Sequence, residues 1–210
     1  MRGWARAAAL AVLVAVGVSA CDRMRDTVVR MRGEPLLRGS VIGRAFARPA
    51  MTLTDTKGQA FDFARATKGR VTFITFGYTH CPDICPVHMA DLAGALRRLP
   101  ARERNAVLVV FVTTDPARDS LPRLRQWLDS FDPSFIGLRG PDSAVAAMER
   151  DFQLPPAQPV ALAGGGYQVN HSAQVFAFTP DDSAHVIYLP GATSADYAHD
   201  IPRLLRDVYK

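Results

Sequence analysis

The run VTFITFGYTHCPDICPVHMADL, Val71 to Leu92, decides how this chain folds. Its first six residues, closed by Gly77, are β-branched or aromatic and show no polar alternation, which predicts a strand buried on both faces. Beyond the run's middle, Met89, Leu92, Leu96 and Leu99 recur at spacings of three and four, the signature of one helix face. Between strand and helix lie two of the chain's three cysteines, Cys81 and Cys85, with Pro86 placed where a first helical turn tolerates a missing N–H.

Working outward, AVLVVFVTT (Ala106 to Thr114) predicts a second buried strand, and Leu121, Leu124, Leu128 and Phe131 a second helix. A short strand over Phe135 to Leu138 and a helix over Ser143 to Phe152 follow. LPPAQPVALAGGGYQVNHS is rich in Pro and Gly and reads as loop, and the glycines before Tyr167 are expected to leave the loop that bears His171 mobile. AQVFAFT and AHVIYLP read as strands around the turn PDDS, and Ile201, Leu204, Leu205 and Val208 mark a closing helix. Upstream, MTLTD and QAFDF flank TKG as a hairpin. A strand that runs into a cysteine pair at a helix start is the thioredoxin arrangement. The expected fold is therefore α/β and thioredoxin-like: a mixed central sheet flanked by helices, with an extra N-terminal hairpin.

Composition agrees with a packed domain: 210 residues, 48% hydrophobic and 21% charged. The net charge of +5 is spread among interleaved acids, which argues against a nucleic-acid partner. MRGWARAAALAVLVAVGVSAC opens with Arg2 and Arg6, followed by an apolar run from Ala7 to Ala20 that is short for a membrane span. Val18-Ser19-Ala20-Cys21 looks like a bacterial lipobox, with Cys21 diacylated and Asp22 favouring retention at the inner membrane. The expected organisation is a signal peptide over 1–20, a lipidated tether over 21–45 and the folded domain over 46–210, held in the periplasm by its lipid. With Cys21 occupied by lipid, Cys81 and Cys85 are left in an oxidising compartment, where a pair implies disulfide, redox or metal chemistry.

A helix N-terminus favours thiolate over thiol, and thiolates are soft ligands for Cu(I), Zn or iron–sulfur iron. Two cysteines four residues apart can converge on one ion or close a disulfide; the third intervening residue, compared with the usual two of redox enzymes of this fold, argues for the metal. A third ligand has several candidates. His88 lies on the same helix face as Cys85. His171 stands far along the chain just before a strand. His80 adjoins Cys81 but should point away from it, and His185 and His199 read as surface residues.

FGYTHCPDICP, VTTDPARDS (Val112 to Ser120), FIGLRG (Phe135 to Gly140) and YQVNHS (Tyr167 to Ser172) together resemble the Sco/SenC family of copper proteins. The resemblance runs from Met51 to the C-terminus. It implies a metallochaperone that binds one Cu(I) or Cu(II) through Cys81, Cys85 and His171. It also implies delivery to, or reductive preparation of, the dinuclear copper site of cytochrome c oxidase subunit II or another copper-accepting protein. Other copper chaperones or thiol reductases are the further partners expected of a monomer working at a membrane. His88 falls at a position this family leaves variable. Asp83 is expected to act through the helix dipole and local hydrogen bonds, and Asp115, Arg118 and Asp119 match the family's DPxRD loop, read here as a turn held by Pro116 and side-chain hydrogen bonds. PDDS departs from the family's frequent Asp-Pro-x-Gly turn, which bears on loop shape. The alternative is a thiol–disulfide oxidoreductase. Against it, no proline lies beside Asn170 to Ala173, where thioredoxin-like reductases dock their substrates.

Overall fold

Ten strands and six helices are found among residues 36–207, the part of the chain that this computed structural model describes. The strands are β1 (Ser40–Ala47), β2 (Thr52–Asp55), β3 (Ala60–Asp62), β4 (Val71–Gly77), β5 (Val107–Thr113), β6 (Ile136–Arg139), β7 (Gln158–Ala161), β8 (Tyr167–Asn170), β9 (Val175–Phe178) and β10 (Ser183–Tyr188). The helices are α1 (Phe63–Thr67), α2 (Ile84–Arg98), α3 (Ala101–Asn105), α4 (Leu121–Asp129), α5 (Asp142–Asp151) and α6 (Ser194–Leu205). Eight strands share one mixed sheet in the order β1-β10-β9-β4-β5-β6-β2-β3, while β7 and β8 form a separate ribbon.

The centre of the sheet is β4, buried at every residue. It runs parallel to β5, from Val71 opposite Val107 to Gly77 opposite Thr113, and antiparallel to β9, from Thr72 opposite Phe178 to Thr75 opposite Val175. Successive side chains on a strand face opposite ways, so a strand covered on both sides must be apolar on both. Phe73, Val109 and Phe111 accordingly pack under Met89, Leu92 and Leu96 of α2, Leu124 and Leu128 of α4, and Tyr197 and Ile201 of α6. Ile74, Phe76, Val110 and Val112 face the other core with Phe63, Phe152 and Phe178. Capping agrees with the helix starts: the Ser120 hydroxyl accepts from Arg123 N, and Thr193 with Asp196 closes a capping box on α6.

The expected hairpin is β2–β3, which extends the sheet beyond β6, with Thr54 opposite Arg139. Two segments differ from the sequence reading. Ser40 to Ala45, expected to end the tether, belong to β1, which pairs antiparallel with β10 and shifts register between Val41 and Phe46. That irregularity, on an edge strand exposed at most positions, erases the period-two signal. The segment read as loop contains the ribbon β7–β8, with Gln158 opposite Asn170 and a turn in which Gly165 and Gly166 take positive φ. Every residue of β7 is exposed and one is Pro159, so nothing apolar announces it. The signal peptide, Cys21, most of the tether and Val208 lie outside the described residues. Among the described residues no helix is long and apolar enough to cross a membrane.

Candidate metal centre

Where β4 ends, the chain turns through Tyr78-Thr79-His80 into Cys81, whose N–H donates to the Tyr78 carbonyl at 3.1 Å. The turn is held by Asp119, fully buried, which accepts from Thr79 N at 2.9 Å, Thr79 Oγ1 at 2.6 Å and Thr113 Oγ1 at 2.6 Å. Two residues after Cys81, Asp83 stands at the N-cap position of α2, so Cys85 falls in its first turn, among backbone N–H groups that lack intrahelical partners. Cys81 is half-buried and Cys85 buried; both thiols are free. Gly77 makes room for the second: a Cβ there would lie 2.5 Å from Cys85 Sγ.

His171 arrives from the opposite direction, between β8 and β9, and places Nε2 3.5 Å from Cys85 Sγ. Its Nδ1 donates to the Ser172 carbonyl at 3.0 Å, which turns Nε2 toward the sulfurs. The ligand atoms of Cys81, Cys85 and His171 all lie within 4.8 Å of one another. The Tyr78 ring stands edge-on to the His171 ring, with centroids 5.6 Å apart, and walls the site.

Charge is divided unequally between the sulfurs. A hydrogen bond from Cys85 is the main cause that pulls the Cys81 thiol down to about 3; burial opposes it, and His171 with the backbone N–H groups of Asp83 and Cys85 adds to the pull. Cys85, the donor in that bond and buried, is pushed well above the ordinary thiol range. Burial of the His171 ring disfavours its charge, but the bond to Cys81 and the Ser172 carbonyl outweigh this and raise its pKa. A thiolate, a thiol and an imidazole converging on one point form a soft donor set suited to Cu(I) or Zn, and metal entry would displace the proton they share.

The other candidates fall elsewhere. His88 is buried with Nε2 2.8 Å from the Ala173 carbonyl, and it is not part of the three-residue cluster. The His80 side chain is 41% exposed, turns toward Thr79 Oγ1 and Asp119, and is not part of the cluster. His185 and His199, expected on the surface, are half-buried against Asp181 and Asp200 at 2.8 and 2.7 Å. Asp83 makes no side-chain cap bond; its backbone N–H serves Cys81 instead. In the DPxRD loop Arg118 pairs with Asp115, lies 3.7 Å over the Tyr167 ring and donates to the Tyr167 carbonyl at 2.9 Å, while Tyr167 Oη donates to Asp115 at 2.8 Å. This loop therefore does more than turn: through Asp119 it holds the approach to Cys81, and through Arg118 the strand that leads to His171. Sequence reasoning missed Gly77 and Tyr167, although a glycine closing a buried strand beside a cysteine is a usable sign of close approach.

The SCO1/SenC family model matches residues 41–206. The chain belongs to the SCO1/SenC family. Protein sco1 of Schizosaccharomyces pombe is 28% identical over 210 residues, covering 93% of this chain and 74% of that protein. The copper-bound structure of Bradyrhizobium japonicum ScoI is 31% identical with a TM-score of 0.68, covering 77% of this chain and all of that one. The apo Sco1 structure from Thermus thermophilus is 28% identical with a TM-score of 0.71, covering 80% and 97%. This SCO1/SenC chain thus has the thioredoxin-like fold expected of it, with β1 and the β2–β3 hairpin added at the two edges of its sheet.

Proposed function

We propose that this chain is a copper carrier that binds one copper ion through Cys81, Cys85 and His171 and passes it to another protein. The observation that supports this most directly is the meeting of those three donors within 4.8 Å of one another, and the pull on the Cys81 thiol toward thiolate agrees with it. Family membership and the copper held in the Bradyrhizobium japonicum structure support the choice of metal. The difference in exposure suggests an order of exchange. Cys81, half-buried, meets an incoming ligand first, while Cys85 is shielded and leaves last. The recipient in this reading is the dinuclear copper site of cytochrome c oxidase subunit II or another copper-accepting protein. The carrier itself is a monomer that lipid on Cys21 keeps at the periplasmic face of the inner membrane. Copper titration of the reduced protein tests the reading: wild type takes up one Cu(II) with a thiolate-to-copper charge-transfer band, and His171→Ala loses or strongly alters it. An unchanged band in His171→Ala overturns the ligand assignment.

A second reading, reduction of partner disulfides, is favoured by two free thiols on one turn, with a hydrogen bond from Cys85 drawing Cys81 toward the thiolate. The Cys81 thiolate would attack a partner disulfide and expel one partner thiolate. Cys85, losing its proton to solvent, would then attack Cys81 Sγ, giving an internal disulfide and a fully reduced partner. Stoichiometric exchange in copper-free protein, with loss of both thiols, distinguishes this from metal transfer.

A further inference from the structure

The link that carries His171 is four residues long, His171 to Gln174, and joins β8 to β9. It is tied at its far end by two side chains, one from the sheet and one from the helix: Thr75 Oγ1 on β4 donates to the Gln174 carbonyl at 3.0 Å, and His88 Nε2 on α2 approaches the Ala173 carbonyl at 2.8 Å. A carbonyl only accepts, so Nε2 carries the hydrogen in that bond. Burial lowers the His88 pKa and so favours the neutral ring, and with the hydrogen on Nε2 the other nitrogen, Nδ1, is buried with no hydrogen-bond partner among the described residues. Such a ring is committed to one tautomer and one orientation. It sits one helical turn after Cys85, so the helix that presents one donor also grips the segment that presents another.

We infer that His88 is a positioning residue: its hydrogen bond to the Ala173 carbonyl latches the His171 link to α2 and sets how fast His171 can leave a bound ion. The inference rests on His171 being a ligand. While the latch is closed, His171 is held over the sulfurs by a fixed backbone. Opening it lets the imidazole swing away and leaves the ion on Cys81 and Cys85 for a recipient. His88 itself never touches the metal.

The test uses the full chain loaded with Cu(I), following copper loss to excess bathocuproine disulfonate. His88→Ala removes the donor, and His88→Gln puts an amide N–H near the position of Nε2–H. One hydrogen bond of ordinary strength predicts release about tenfold faster in His88→Ala and within about twofold of wild type in His88→Gln. A merely structural role predicts lower melting temperatures in both variants with no change in release. Wild-type release from a folded His88→Ala overturns the latch. Should His88→Ala not fold, ¹⁵N-imidazole NMR of copper-loaded wild type decides: an Nε2–H resonance coupled to the Ala173 carbonyl supports the latch, and its absence overturns it. His171→Ala separates the two levels. If it too releases at the wild-type rate, the ligand reading has failed, whereas fast His171→Ala with wild-type His88→Ala sinks the latch alone.

Discussion

Gly77 and Cys85 occupy adjoining volumes so tightly that a methyl on Gly77 would stand 2.5 Å from Cys85 Sγ and 3.1 Å from the Phe111 ring. The last residue of the central strand is thus part of the thiol's seat, although it offers no donor.

Gly77→Ala is therefore expected to act on both stability and metal. Overpacking at a buried position should cost about 1–3 kcal/mol in denaturant unfolding. The displaced sulfur should also weaken copper retention in competition with a chelator. Retention equal to wild type would mean that Cys85 has slack the packing does not show.

The ionised state of Cys81 gives a pH prediction with a definite sign. With its folded pKa pulled from 9.0 to about 3, the thiolate contributes stability that is complete above pH 9.0 and is lost as pH falls toward 3. In reduced, copper-free protein, iodoacetamide should modify Cys81 almost as fast at about pH 5 as at about pH 8, where an ordinary thiol slows nearly a thousandfold. Removing the main donor with Cys85→Ala should raise the Cys81 pKa and slow the acidic reaction. A wild-type rate that falls tenfold for each pH unit, followed by mass spectrometry, would contradict the charge assignment.

Asp119 accepts three hydrogen bonds at the base of the Cys81 turn while fully buried. Asp119→Ala leaves those donors unmatched and should destabilise the fold by about 2–4 kcal/mol. It should also scatter the approach to Cys81, which a broadened Cu(II) electron paramagnetic resonance spectrum would report.

Asp200 offers a contrast remote from the sulfurs. Its buried carboxylate accepts from Arg38 N at 3.0 Å, Gly39 N at 2.8 Å and Tyr188 Oη at 2.9 Å. Asp200→Ala should lower stability by about 2–4 kcal/mol and speed amide exchange in β1, with the copper spectrum unchanged. A changed spectrum would reveal coupling between this edge and the site.

How much of this was legible follows from where each signal lives. β4 and β5 declared themselves because burial on both faces leaves an unbroken apolar run, and α2 because Met89, Leu92 and Leu96 share one stripe. Cys81 and Cys85 could be paired from spacing alone, since they are local. His171 could not: its approach is set by the antiparallel entry of β9 beside β4, which no window around either residue contains, and only the family resemblance pointed to it. His88 shows the limit of local spacing. Its place one turn after Cys85 makes it a candidate by proximity, but the ring reaches the backbone of the neighbouring link instead. β1 and β7 were invisible because edge position and exposure leave no alternation to detect.

The order of the strands has a mechanical consequence. Arg38 and Gly39 are moored to α6 by Asp200, and β1 lies at one margin with β10 and β9 between it and β4. A pull on the chain ahead of residue 38 would load that mooring first and then peel β1 from β10, rung by rung. Two further strands would have to shear before the tug reached the residues that precede Cys81, so the sulfurs are insulated from tension at the amino-terminal edge.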